Sequence, residues 1–211
     1  MKVYTNSQQG KRGYQEDRFL VKPLEEKTRT ICAVSDGMGG HPNGDKAAEK
    51  VVFHVGLAAK NLDEIVGALW AANIECLAEK DHRGATATVC LFDTDKNTIS
   101  VAHAGDTRIS HFPSDPQGSA GFLTVDHGIG SMLKNAVGFL SVVDNFELPI
   151  YPGCFVISSD GVHDFMNLKE MDTEITNAIE CGEDPAKALC DKALRNGSSD
   201  NCTAIVVDLS R

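Results

Sequence analysis

Aromatic side chains are scarce. Only 6% of the 211 residues are Phe, Tyr or Trp, with a single Trp, so a core must be built mostly from Val, Ile, Leu and Ala. No apolar run approaches the ~18 residues of a membrane span. The polar opening from Met1 to Gln9 does not read as a secretory leader. Basic residues are outnumbered, 20 against 30 acidic, for a formal net charge of -10. That balance argues against nucleic acid or an anionic membrane as the main partner. The seven cysteines include no C-x-x-C pair, and no His/Cys cluster has zinc spacing. Cys32, Cys90, Cys154 and Cys202 lie in or beside apolar runs, where a thiol acts as a small hydrophobe. No linker or low-complexity stretch divides the chain. One domain over residues 1–211 is expected, soluble, reduced and cytoplasmic.

What is present is organised around Ile31 to Lys50. The apolar run Ile31-Cys32-Ala33-Val34 reads as a buried strand that stops at Ser35-Asp36-Gly37, and Ala47, Ala48, Val51, Val52 and Val55 follow at helical spacing. Before it, Met1 to Thr5 and Phe19 to Val21 read as strands. After it, a helix runs from Gly44 to about Lys60, and a second starts at Asn61 with Glu64 as capping partner. Strands are expected at 85–92, 98–104, 107–112 and 122–125, an antiparallel meander. The segment 128–145 suggests only a short helix around Met132 to Val137. Cys154 to Ile157 is a further strand, followed by helices capped at Asn167 and at Asp184-Pro185. Gly182 and Gly197 close those helices, and Thr203 to Leu209 is the last strand. Runs of strands alternating with pairs of helices indicate the α+β class. Two antiparallel sheets, each flanked by a helix pair, would bury these faces in an α-β-β-α sandwich of four layers.

The carboxylates fall at strand ends. AVSDGMGGH at 33–41 and VISSDGVHD at 156–164 share an apolar strand, a Ser and an Asp-Gly. Ser199-Asp200-Asn201 precedes the last strand, and Glu16-Asp17 precedes the second. Oxygen ligands of this kind suit a hard divalent cation, Mg²⁺ or Mn²⁺. The glycines from Gly37 to Gly44 match neither G-x-G-x-x-G nor G-x-x-x-x-G-K-[ST], so a nucleotide-binding loop is not indicated.

Six motifs in order carry a resemblance. They are Arg12-Gly-Tyr-Gln-Glu16-Asp17, Ser35-Asp36-Gly-Met-Gly-Gly-His41, Gly84-Ala-Thr-Ala-Thr88, His103-Ala-Gly-Asp106-Thr-Arg108, Ser159-Asp160-Gly-Val-His-Asp164 and Ser199-Asp200-Asn201-Cys-Thr-Ala. Together they resemble the type 2C, metal-dependent protein phosphatases, notably small bacterial members. The resemblance implies hydrolysis of phosphoserine and phosphothreonine, by a hydroxide bridging two Mn²⁺ or Mg²⁺ ions. Asp36 would bridge the ions, with the Gly37 carbonyl on one of them. Asp160 and Asp200 would complete the first ion, and Glu16 would serve the second, with Asp17 nearby through water. Bacterial relatives often carry a third metal, for which Asp106, Asp160 and Asp164 are the ligands implied, with Asp126 a further candidate. Arg12 would bind the substrate phosphate. The implied partner is a phosphorylated protein, opposing a Ser/Thr kinase, with the enzyme acting as a monomer.

Structural readings stand beside these. Asp106 fits a turn between strands, Asp164 fits the cap of a following helix, and Thr86 and Thr88 fit a strand core. His103, His111, His127 and His163 read as structural or surface histidines. The chain also departs from the family in two places. Met38 stands where many relatives have a His that protonates the leaving group, so His41 or a metal-bound water would take that role. Only 33 residues separate Asp126 from Asp160, short for the usual flap. Two rival readings are a switch phosphatase dedicated to one regulatory protein, and a non-catalytic phosphoprotein binder. The second predicts a missing metal ligand, and Glu16, Asp36, Asp160 and Asp200 are all present.

Overall fold

The described chain is organised by two antiparallel five-stranded sheets. The computed structural model describes residues 1–24, 28–39, 43–58, 60–79, 84–129 and 132–210. The elements begin with β1 (Lys2–Gln8), β2 (Arg18–Pro23), β3 (Arg29–Ser35), α1 (Gly44–Ala58) and α2 (Leu62–Ala78). Next come β4 (Ala87–Asp93), β5 (Thr98–Ala104), β6 (Arg108–Pro113), β7 (Gly121–Phe122), β8 (Gly128–Ile129), β9 (Met132–Leu133) and β10 (Asp144–Pro149). The last are β11 (Gly153–Ser158), α3 (Asp160–His163), α4 (Leu168–Cys181), α5 (Pro185–Arg195) and β12 (Cys202–Asp208).

They fall into two units. The first comprises Met1–Gln15, Arg108–Val125 and Tyr151–Arg211, and the second Glu16–Thr107 and Asp126–Ile150. In the second, the strand order is β10-β5-β4-β3-β2. Alternate side chains of β3 and β4, such as Ile31, Ala33, Val89 and Leu91, join Ala47, Val51 and Val55 of α1 and Ile65, Leu69 and Ala72 of α2 in one core. The small residues on α1 let helix and sheet approach closely. In the first unit the order is β1-β12-β11-β6-β7. There Val156, Ala204 and Val206 pack with Met171 and Ile175 of α4 and with Leu189 and Ala193 of α5. The expected α+β class and both helix pairs are therefore present.

Helix ends follow their signals closely. Asn61 accepts from the Glu64 amide, Asn167 and Glu170 form a reciprocal capping box, and Asp184 accepts from the amides of Ala186 and Lys187. Gly182 ends α4 in the left-handed region at φ 72°.

Four expectations are corrected. The meander is split, because β4 and β5 belong to one sheet and β6 and β7 to the other. The strand foreseen at 122–125 stops after Phe122. The Leu123 amide still reaches the Ile109 carbonyl at 2.8 Å, but the Ile109 amide then donates to the Thr124 hydroxyl at 3.2 Å, so a side chain replaces the ladder. No helix forms at 132–137. The backbone of Val137 instead pairs with Ala85 in both directions, at 2.9 and 3.0 Å. Asn135 Oδ1 meanwhile accepts from the amides of Ser141 and Val142. Asp164 does not cap α4, which Asn167 does; it closes the single turn α3, its amide donating to the Asp160 carbonyl at 3.0 Å. Three strands, β8, β9 and β10, were not expected; β8 and β9 form a small two-stranded sheet of their own, and β10 joins the sheet of β5. β10 is the sheet edge, polar at Asn145 and Glu147, and it pairs with β5 from Asp144 opposite His103 to Pro149 opposite Thr98.

The segment after Val137 is tied to α2 by one buried side chain. Asn73 Oδ1 accepts from the Gly138 amide at 2.8 Å and the Leu140 amide at 3.0 Å. Asn73→Ala leaves both donors without that acceptor, and should lower unfolding free energy by about 1–3 kcal/mol in urea titrations. A variant as stable as the wild type would show that water replaces the amide.

Candidate metal and phosphate site

In the unit containing Asp36, the end of β3 is zipped to the start of β4. Ser35 Oγ donates to the Thr86 carbonyl at 2.6 Å. The Asp36 amide donates to Thr86 Oγ1 at 2.9 Å, and the Thr86 amide returns to the Asp36 carbonyl at 2.8 Å. Gly37 pairs with Ala85, and the Met38 amide reaches the Gly84 carbonyl at 3.0 Å. The Gly-rich loop is required by close approach. A Cβ on Gly37 would lie 2.4 Å from the Gly44 carbonyl carbon, and one on Gly44 would lie 2.8 Å from Glu16 Oε1. Glu16 and its neighbour Asp17 are buried, 6% and 2% exposed. The Asp36 loop, Gly44 and the Glu16 carboxylate thus form one cradle. Asp106 follows β5 at the turn with Gly105, whose φ is 113°. His41 lies outside the described residues.

In the other unit, two loops bearing carboxylates meet. A Cβ on Gly161 would lie 2.0 Å from the Asn201 carbonyl oxygen and 3.3 Å from Asp200 Cβ, so the loops of Asp160 and Asp200 touch backbone to backbone. The Ser159 amide donates to the Thr203 carbonyl, and the Thr203 amide to Ser159 Oγ, both at 3.0 Å. The Arg12 loop lies on the same place. Asn201 Nδ2 donates to the carbonyls of Gln9 and Tyr14, and the Lys11 amide to that of Ser199. Arg12 Nη2 then reaches Asp200 Oδ2 at 2.5 Å. Both groups are partly exposed, so solvent screens the pair and its contribution to stability is small. Asp164 stands 3.7 Å from Arg108 Nη2, and that guanidinium covers the Phe122 ring at 4.7 Å. The motifs include Arg108 and Asn201, but the sequence did not reveal what either holds. An Arg opening a strand carries no signal of its own, and Asn201 reads simply as a turn residue.

Among the described residues, no three His, Cys, Asp or Glu side chains stand together in a group that could hold an ion by themselves. A Mg²⁺-type centre does not need three, since one or two carboxylates and several waters complete its octahedron. The donors here are carboxylate and backbone carbonyl oxygens, and Asp200 Oδ2 already accepts a cationic guanidinium. The residues fit a hard divalent cation.

Burial makes the thiols of the sheets weak nucleophiles. Burial pushes the Cys32 thiol up to about 12 and the Cys154 thiol up to about 11. Cys202 is buried and donates to the Gly161 carbonyl at 3.2 Å.

No family model matches the chain. Its relatives and structural neighbours nevertheless include several proteins named as serine/threonine phosphatases, one of them a phosphatase 2C. The mitochondrial protein phosphatase 1K of Xenopus laevis is 24% identical, over 98% of this chain and 67% of that protein. The serine/threonine protein phosphatase PstP of Mycobacterium tuberculosis is 25% identical, over 92% of this chain and 44% of its own length. The chain therefore spans two thirds or less of these relatives. The crystal structure of the PstP catalytic domain in complex with two manganese ions superposes with a TM-score of 0.84, at 23% identity, over 98% of this chain and 97% of that one. That likeness shows the fold, an α+β sandwich.

Two predictions follow from this geometry. Gly161→Ala forces a Cβ onto the Asn201 carbonyl, and should cost about 1–3 kcal/mol in chemical denaturation; an unchanged midpoint would contradict the close backbone approach. In native protein a thiol reagent should label one cysteine per chain rapidly, the exposed Cys181, and all seven after unfolding. Rapid labelling of a second native thiol would contradict the burial.

Proposed function

We propose that this chain is a metal-dependent protein phosphatase that hydrolyses phosphoserine and phosphothreonine. The observation that carries the reading is the placement of all four core acidic positions. Glu16, Asp36, Asp160 and Asp200 lie at strand edges of a fold shared with a domain crystallised with two manganese ions. In this reading the ligands of two Mn²⁺ or Mg²⁺ ions would come from Glu16, Asp36, Asp160, Asp200 and the Gly37 carbonyl, with Asp17 nearby through water, and those of a third from Asp106, Asp160 and Asp164. Divalent cations bound there supply Lewis acidity, and make water nucleophilic at neutral pH.

The protein's own groups do the rest. The planar guanidinium of Arg12 matches two phosphate oxygens and would orient phosphorus for in-line attack. Asn201 fixes the carbonyls of Gln9 and Tyr14, and so the loop from which Arg12 projects. The Ser35–Thr86 zipper holds the backbone under Asp36. A thioether has no proton to give at Met38, so His41 or a cation-bound water would protonate the leaving hydroxyl.

The substrate is proposed to be a phosphoprotein, with an opposing Ser/Thr kinase, and the enzyme a monomer acting as one catalytic domain in the cytoplasm. Among the described residues no helix is long and apolar enough to cross a membrane. The acidic surplus of the chain supports a protein rather than a nucleic-acid partner.

The test is phosphate release from phosphoserine and phosphothreonine peptides with Mn²⁺, with Mg²⁺ and with EDTA, the wild type beside Asp160→Asn. We expect turnover that depends on the metal, ends with EDTA and falls at least ~10²-fold in the variant. Folded wild-type protein without turnover under any metal would contradict the proposal for peptides.

A further inference from the structure

The hydroxyl of Thr86 joins two loops that carry different candidate ligands. On one side Thr86 Oγ1 accepts from the Asp36 amide at 2.9 Å. On the other it accepts from Thr107 Oγ1 at 2.7 Å, and Thr107 directly follows Asp106. Two strand positions on, Thr88 Oγ1 donates to the Thr107 carbonyl at 2.8 Å and meets His103 Nδ1 at 2.9 Å. Thr86, Thr88, His103 and Thr107 are all buried, at 2% exposure or less. The methyl side of Thr86 is occupied too. A Cβ on Gly105 would lie 2.6 Å from Thr86 Cβ, so the turn before Asp106 rests directly on this side chain.

Thr86 directly precedes β4 and Thr88 lies within it, and the ordinary occupant of such buried positions is an aliphatic residue. Valine would fill the space of Thr86. It would leave the Asp36 amide without its acceptor and the Thr107 hydroxyl without its partner. Hydroxyls here therefore serve what they hold, the backbone of Asp36 and the segment of Asp106.

We propose that Thr86 is a positioning residue, whose hydroxyl bridge to Thr107 fixes the Asp36 and Asp106 loops together for cation binding. The inference rests on the metal-dependent reading above. Thr86 touches neither substrate nor cation in this account; it sets the place of the residues that do. The bridge makes the two loops one mechanical unit, so loosening either end loosens both. Outer residues of this kind change metal affinity by about 10–100-fold when removed.

The experiment is calorimetric titration of Mn²⁺ into wild type, Thr86→Val, Thr86→Ser, Thr107→Val and the double Thr86→Val/Thr107→Val variant. We expect Thr86→Val and Thr107→Val each to weaken binding about tenfold or more. Thr86→Ser, which keeps the hydroxyl and loses only the methyl, should stay within about threefold of wild type. The double variant should bind little worse than the weaker single one, because both substitutions break the same bridge. Wild-type affinity in Thr86→Val, or equal loss in Thr86→Ser and Thr86→Val, would overturn the inference while leaving the phosphatase reading intact. A folded wild type that takes up no Mn²⁺ would overturn both. Should Thr86→Val fail to fold, Thr107→Val decides: weakened binding supports the bridge, and unchanged binding overturns it.

Discussion

The backbone of Asp36 is held at both its amide and its carbonyl by one neighbouring residue. Asp36 stands just past the end of β3, where ladder pairing would normally cease and the chain would be free to turn. Pairing is instead prolonged by Thr86, which binds the Asp36 amide through its side chain and the Asp36 carbonyl through its own amide. Ser35 adds a third bond from the same strand edge. Neutral hydroxyls and amides do this work in a buried setting. There, each satisfied polar group gains strength from the low dielectric, and each unsatisfied one is costly. Such a support gives a carboxylate a fixed position without placing a competing charge beside it.

Close backbone packing is the second device, and it recurs in both units. Gly37 against Gly44, and Gly161 against Asn201, are contacts at which even one methyl group would collide. Each brings two acidic segments nearer than side chains would allow: Asp36 and Glu16 in one unit, Asp160 and Asp200 in the other. Repulsion between such carboxylates must be offset by cations. The structure already shows two of its own in that role, Arg12 on Asp200 and Arg108 near Asp164.

Much of this was legible in the sequence, for identifiable reasons. Asn61, Asn167 and Asp184-Pro185 act through local hydrogen bonds, so helix starts could be read from a few residues. The strand ends at Asp36 and Asp160 were visible because apolar runs of four residues stop abruptly at Ser and Asp-Gly. What failed depended on distant partners. Residues 132–137 carry a helix-compatible pattern, but Val137 pairs with Ala85, fifty-two residues away in sequence (137 less 85), and that bond is invisible locally. β10 is an exposed edge whose polar residues hide its alternation. Thr86 could be read as a strand residue, which it adjoins, but nothing local revealed that its hydroxyl faces Asp36 and Thr107 at once.

The central claim is that these carboxylates exist to hold divalent cations, and it can be seen directly. Crystals grown with millimolar Mn²⁺ would be measured on both sides of the manganese absorption edge. The account predicts anomalous peaks within coordination distance of carboxylates among Glu16, Asp36, Asp160 and Asp200. Well-diffracting crystals with no peak at these residues, or with manganese bound only elsewhere, would contradict it.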